Sequence, residues 1–157
     1  MSEILLPCLV ATPTGLLRVP RSDMHHFVRG RNPAGHWDFE HGATPSMQVR
    51  FLIQRDGCLR EVRPLRARRR WGAALARLVD VVILECELAP GRQLSNAEML
   101  ARLEGVPAKA PFNLAAKLRK FLKALPESEG FDERRFREFW EEAGYPLAPG
   151  DWAESLA

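Results

Sequence analysis

The sequence predicts an α/β fold: a β-β-α-β core sheet followed by a helical C-terminal extension. Three observations predict it. Asp56-Gly57 separates two runs of β-forming residues. A short apolar run without alternation ends in Val81-Val82-Ile83-Leu84. Ser95, with Glu98 three residues on, opens a series of helical patterns.

The elements follow in order. Residues 1 to 46 show no clean period. They are broken by Pro7, Pro13, Pro20, Pro33 and Pro45, so short strands and loops are expected. Met47 to Gln54 is rich in β-formers, and Cys58 to Arg63 reads as a second strand. Asp and Gly tolerate the positive φ of a tight turn, so the two strands form a hairpin. Trp71, Leu75 and Leu78 recur at i, i+4 and i+7, which predicts a helix from about Ala67 to Leu78. The apolar run at Val79 to Leu84 then reads as a strand buried on both faces, as in a parallel sheet. The helix would be its right-handed crossover.

The next helix starts at the Ser95–Glu98 capping box and stops at Gly105 and Pro107. Leu114, Leu118, Phe121, Leu122 and Leu125 define another, ended by Pro126, with Lys117, Lys120 and Lys123 on or beside its polar side. Phe136, Phe139, Trp140 and Ala143 define a last helix, capped by Asp132 and ended by Gly144. The Pro- and Ala-rich join after Gly105 divides the chain into a core domain, residues 1–105, and an extension with an acidic tail, residues 106–157.

Composition bounds the class. In 157 residues, 46% are hydrophobic and 27% charged, which excludes wholesale disorder. No apolar run approaches the roughly 20 residues of a membrane span, and no signal-like segment opens the chain. Three widely spaced cysteines fit a reducing compartment better than a disulfide framework. The expectation is a cytoplasmic protein with no membrane partner. The net charge of +3 hides a polar layout. Residues 1–126 hold 20 Lys and Arg against 11 acids, whereas residues 127–157 hold three against nine. From Arg50 to Arg77 there are nine arginines and two acids. Arginine forks onto phosphate oxygens, so this run suits a nucleic-acid backbone; it equally suits a solvated face.

One constellation carries chemistry. Glu61 and Arg63 are two apart on a strand and share a face. An acid and a cation placed so, beside a hairpin, suit a metal-dependent nuclease. There carboxylates hold Mg²⁺, and the metal and cation stabilise phosphate charge. On spacing alone the pair also describes a surface ion pair.

Longer stretches carry a resemblance. Thr44-Pro45-Ser46, the strand from Met47 to Gly57, and Leu59-Arg60-Glu61-Val62-Arg63-Pro64-Leu65 resemble the core of TnsA-like transposition endonucleases. Those proteins carry T-P-D, a strand, a D-G turn and E-V-K-P. Glu87-Leu88-Ala89-Pro90-Gly91, Leu94 and Asn96-Ala97 before Met99-Leu100 resemble that family's later segment, an acidic-leucine pair and proline ahead of an N-A-x-x-L helix. Val28-Arg29-Gly30 and Pro33 resemble an upstream V-R-G-x-x-P element of some members.

The resemblance implies a restriction-endonuclease-like core of the PD-(D/E)xK kind and a helical or winged-helix C-terminal module. It implies DNA as substrate, Mg²⁺ as cofactor if the site is active, and two partners, a DDE transposase and an AAA+ regulator. Carried over residue by residue, the catalytic set is Ser46, Glu61 and Arg63, with Glu61 as the metal ligand. The family's Asp falls on Ser46, a poor Mg²⁺ ligand, and its Lys on Arg63, which stays protonated and cannot act as a base. The expected site is therefore degenerate, on a subunit that binds DNA structurally. The expected DNA contacts are Arg50, Arg55, Arg60, Arg63, Arg66, Arg68, Arg69 and Arg70, with Lys117, Lys120 and Lys123 on the later helix. Asp38 and Glu40 are candidates for a displaced ligand.

Other candidates are weighed beside this. All four histidines lie between His25 and His41, and His26, His36, His41 and an acid are a candidate Zn²⁺ set, although the spacing matches no zinc motif. Ser95 to Gly105 followed by Asn113 to Leu125 also reads as a helix-turn-helix, which supports an alternative function as a small DNA-binding transcriptional regulator. In the acidic tail, Phe136, Phe139, Trp140 and Trp152 read as core, and equally as anchors for a partner.

Overall fold

Alternation along the strands decides this architecture. In the computed structural model, which describes residues 3–21, 28–42, 49–69, 81–108 and 113–156, nine strands and three α-helices are formed. The strands are β1 (Ile4–Leu5), β2 (Cys8–Thr12), β3 (Gly15–Val19), β4 (Val28–Arg31), β5 (Trp37–Gly42), β6 (Phe51–Ile53), β7 (Leu59–Arg69), β8 (Val81–Leu88) and β9 (Ser155–Leu156). The helices are α1 (Asn96–Leu103), α2 (Leu114–Lys123) and α3 (Glu133–Glu142), with a 3₁₀ turn at Pro149–Ala153. Seven strands form one sheet in the order β3-β2-β6-β7-β8-β5-β4, and every pairing is antiparallel. β1 and β9 pair separately.

The sheet curls so that one face closes on itself. Val10 of β2 and Leu52 of β6 meet Trp37 and Phe39 of β5 and Leu84 and Cys86 of β8 in one buried cluster. The alternate residues, Leu9, Ala11, Phe51, Ile53 and Leu59, point outward and are covered by the helices. Met99 and Leu103 of α1, Leu118 and Leu122 of α2, and Phe136 and Trp140 of α3 complete that second cluster. Side chains from both sides of Gly105 thus share one core. Each such buried Leu or Phe contributes about 1.5–3 kcal/mol of transfer free energy.

The β6–β7 hairpin forms at the predicted turn. Asp56 Oδ1 accepts from Cys58 N at 3.0 Å, and Gly57 takes φ +82°. A Cβ on Gly57 would fall 2.2 Å from Phe131 O, so the turn also needs glycine for the close approach of the loop before α3. Residues 70–80, where most of the crossover helix was expected, lie outside the described residues, and Trp71, Leu75 and Leu78 with them. Ala67 to Arg69 belong to β7, not to a helix. The expectation of a parallel sheet is corrected. β8 lies antiparallel beside β7, with Arg63 opposite Glu87 and Arg68 opposite Ile83. The physical reason is legible in Leu84-Glu85-Cys86-Glu87-Leu88: this half of the strand alternates, as a strand with one buried face must.

The helix caps form as the sequence implies. Ser95 Oγ accepts from Glu98 N, Glu98 Oε1 accepts from Ser95 N, and Asp132 Oδ1 accepts from Arg135 N at 2.9 Å. Residues 104–113 separate α1 from α2, a longer connection than the three- or four-residue turn of a helix-turn-helix, and 109–112 lie outside the described residues. The tail aromatics do not face outward. Phe136, Phe139, Trp140 and Trp152 are buried, and Phe136 stacks on Trp140 with ring centroids 5.7 Å apart.

Candidate functional site

The helices cover only half of the outer face. Past Leu59 the outward positions of β7 change from apolar to charged, and among the described residues no helix covers this part of the sheet. Glu61 and Arg63 lie here by simple alternation. A bulge between Pro64 and Arg66 inserts one residue and resets the alternation, so Arg66 and Arg68 join the same face. Pro64 is tolerated because alternation from Val62, whose N donates to Arg50 O, turns the Pro64 nitrogen away from β8 and beyond the residues of β6. β8 supplies Glu85 and Glu87 opposite Arg66 and Arg63. β5 supplies Asp38, opposite Glu85. The β4–β5 turn supplies His36, held by Asn32 Oδ1, which accepts from the backbone N of Ala34 and His36.

These groups form an alternating lattice of charge. Arg63 pairs with Glu87 and Arg68 with Asp38. Arg66 Nε lies 2.6 Å from Glu85 Oε2. His36 Nδ1 lies 2.8 Å from Glu85 Oε1, and its Nε2 lies 3.7 Å from Glu87 Oε1. An ionised carboxylate only accepts, so His36 Nδ1 donates here. Arg102, reaching from α1, places Nη2 2.7 Å from Glu61 Oε2 and its guanidinium 4.8 Å from the Phe51 ring centre. Glu85 is the anchor. Hydrogen bonds from His36 and then Arg66 push its carboxyl down to about 2, against the opposing effect of burial. Glu87 is lowered too, chiefly by Arg63.

The sequence-derived site residues fall into distinct places. Glu61, Arg63, Arg66 and Arg68 are brought together on the open face. Arg63 is 70% and Arg66 69% exposed, so their outer N–H groups remain in reach of solvent. Arg50 is exposed just before β6. Lys117, Lys120 and Lys123 lie on the exposed side of α2, away from this face, with Lys117 Nζ 5.7 Å from the Tyr145 ring centre. Two expected phosphate contacts are corrected. Arg60 is 2% exposed, and its guanidinium donates to the backbone oxygens of Ala89 and Glu3. Arg55 Nη1 donates to Leu6 O and Glu154 O, tying the hairpin turn to the β1 and β9 ends. Both face inward because they alternate with, or flank, the outward residues of the hairpin. Ser46 and Arg70 lie outside the described residues, as do the side chains of Arg69, Glu40 and His41, and residues His25 and His26.

A Mg²⁺ ion does not fit the described residues. No group of three or more His, Cys, Asp or Glu side chains among them converges as metal ligands. Glu61, the expected ligand, faces a cation instead, and Asp38, the candidate displaced ligand, is held by Arg68 and by Asn32 Nδ2 at 3.2 Å. His36 is engaged with Glu85 and Glu87 rather than with a metal set. Sequence reasoning missed Glu85 and Arg102, and it did not connect Glu87 or His36 with this face. The alternation of Glu85 and Glu87 within β8 was the available signal. Comparison with known protein families, curated proteins and solved structures finds no match.

Proposed function

We propose that this chain is a TnsA-like, non-hydrolytic subunit of a heteromeric transposition system, descended from a restriction-endonuclease-like nuclease and acting by holding DNA. One observation carries the reading. The two sequence blocks that resemble that family lie against each other around Glu61. Glu61 O accepts from Ala89 N at 3.0 Å, Arg63 pairs with Glu87, and Arg102 of the helix that ends the second block pairs with Glu61. In a working nuclease this neighbourhood gathers carboxylates on a metal. Here each described carboxylate of the face is neutralised by an arginine, an arrangement suited to exchanging carboxylate for DNA phosphate without hydrolysis.

In this reading Arg63, Arg66 and Arg68 are the main backbone contacts, with Arg50 and Arg102 at the margin. A DDE transposase and an AAA+ regulator are the proposed partners. Because four arginines face four carboxylates, DNA binding is weak alone and strongly salt-dependent. The test is a nicking assay. Purified protein with Mg²⁺ or Mn²⁺ leaves supercoiled plasmid carrying transposon ends intact, alone or with its transposase. Metal-dependent nicking that disappears in Glu61→Ala overturns the proposal.

A further inference from the structure

Among the described residues, α2 and the C-terminal end of α3 leave an open groove of about 450 Å³ between them. Phe121 and Phe139 form its floor, edge to face, with ring centroids 5.6 Å apart. Leu125, half-buried, extends the floor past the end of α2. Ala124 and Ala143 also line the groove, and their side chains are too small to fill it. The lining positions from α2 and its cap are 117, 120, 121, 124 and 125, which is one helical face. At 1.5 Å per residue that face runs about 12 Å, or two turns. The helices run in opposite senses here: Phe121 meets Phe139, while Lys117, a turn earlier, meets Tyr145 beyond the end of α3. Lys117, Lys120 and Glu142 therefore gather toward one end of the groove, and Ala124 and Leu125 make the other end apolar.

The charge of the rim narrows what fits. Lys117, Lys120 and Glu142 are exposed, and none forms an ion pair among the described residues. On the sheet face, by contrast, Arg63, Arg66 and Arg68 each meet a carboxylate. The rim thus holds two positive charges to one negative, and the excess is left for an occupant. Lys120 lies in the last turn of α2, where a cation complements the helix dipole, but Lys117 lies a turn earlier, beyond that effect. The occupant must bring an apolar ridge and negative charge. A second copy of this chain brings neither. Leu65 is the one large hydrophobic residue exposed among the described residues, and its neighbours Arg63 and Arg66 would carry cations onto Lys117 and Lys120. An open groove two turns long is the geometry that an amphipathic helix fills, with anchors at i, i+3 or i+4, and i+7. We infer that this groove docks an acidic amphipathic helix of a partner protein, its aliphatic ridge over Phe121, Phe139 and Leu125 and its carboxylates on Lys117 and Lys120. The site is independent of the DNA reading, since it uses none of the outward residues of β7.

The test is a titration of the isotope-labelled full chain, followed by amide chemical shifts. The probe is a synthetic helical peptide with leucines at i, i+3 and i+7 and glutamates beside them. It binds saturably, and the largest shifts fall at Lys117 to Leu125 and Phe139 to Ala143. Replacing its glutamates by lysines weakens binding about threefold to tenfold, and so does K117Q/K120Q in the chain, with an unchanged Tm. Replacing its leucines by alanines weakens binding about tenfold or more, and so does Ala143→Leu, which fills the groove. Sodium decanoate tests a small aliphatic acid as occupant, and dilution of the free chain tests a second copy. No saturable shift at millimolar peptide overturns the proposal. So do equal binding of the lysine peptide, shifts confined to other surfaces, decanoate binding to the same amides as tightly as the peptide, or shifts of these amides on dilution without peptide.

Discussion

Glu61 Oε2 accepts a hydrogen bond from Arg102 Nη2 at 2.7 Å, across 41 residues of sequence. The pair joins the open face of the sheet to the first covering helix. Both side chains are substantially exposed, so the coupling between them is modest. A double-mutant cycle with Glu61→Gln and Arg102→Gln measures it, with an expected coupling of about 0.2–1 kcal/mol. Arg102→Gln is the more costly single change, by about 0.5–1 kcal/mol, because Arg102 also lies over the Phe51 ring. Mg²⁺ leaves the Tm of the wild-type chain unchanged.

Glu85 links stability to pH. Hydrogen bonds from His36 and Arg66 hold its carboxyl down at about 2 in the folded chain, well below the 4.5 of a free glutamate. A depressed folded value means that the unfolded chain binds the proton first as pH falls. The contribution of Glu85 is therefore complete above pH 4.5 and is lost between 4.5 and 2. In urea titrations across that window, Glu85→Gln flattens the pH dependence of the midpoint relative to wild type. A wild-type slope retained in full by the variant contradicts the role given to Glu85.

Two glycines with nearly the same backbone angle respond differently to alanine. Gly57 has φ +82° and backbone atoms crowded into the space a Cβ would take; Gly35 has φ +84° and nothing within 4 Å. Backbone strain alone costs about 1–3 kcal/mol, and forced overpacking adds about as much again. Gly57→Ala should lower stability by about 3 kcal/mol or more, and Gly35→Ala by about 1 kcal/mol. Chemical denaturation of the two variants checks the order.

How much of this was legible in the sequence follows from what each residue signals locally. The hairpin at Asp56-Gly57, the Ser95–Glu98 capping box, the Asp132 cap and the helical stripes of α2 and α3 were legible, because turns and caps are set by neighbours in sequence. That Glu61 and Arg63 share a face was legible from alternation alone. The β7–β8 pairing was not. Ala67 to Arg69 read as the start of a helix, since a bulge at Pro64 breaks the alternation that would have marked a strand. The partners were hidden for a related reason. Glu87 meets Arg63 and Asp38 meets Arg68 only through strand register, which no local pattern encodes. The burial of Arg60 was also hidden, because its place opposite Leu52 in the curled face appears only when the sheet closes.

The central claim is that the open face holds DNA through Arg63, Arg66 and Arg68. The most direct measurement is fluorescence anisotropy of labelled duplex DNA against salt concentration. The wild-type chain should bind at low salt. The triple variant R63Q/R66Q/R68Q should bind more weakly, with the slope of log K against log salt reduced by about 3. Glu87→Gln, which frees Arg63, should bind more tightly than wild type. Absence of DNA binding at low salt, or a triple variant with wild-type affinity and slope, contradicts the account.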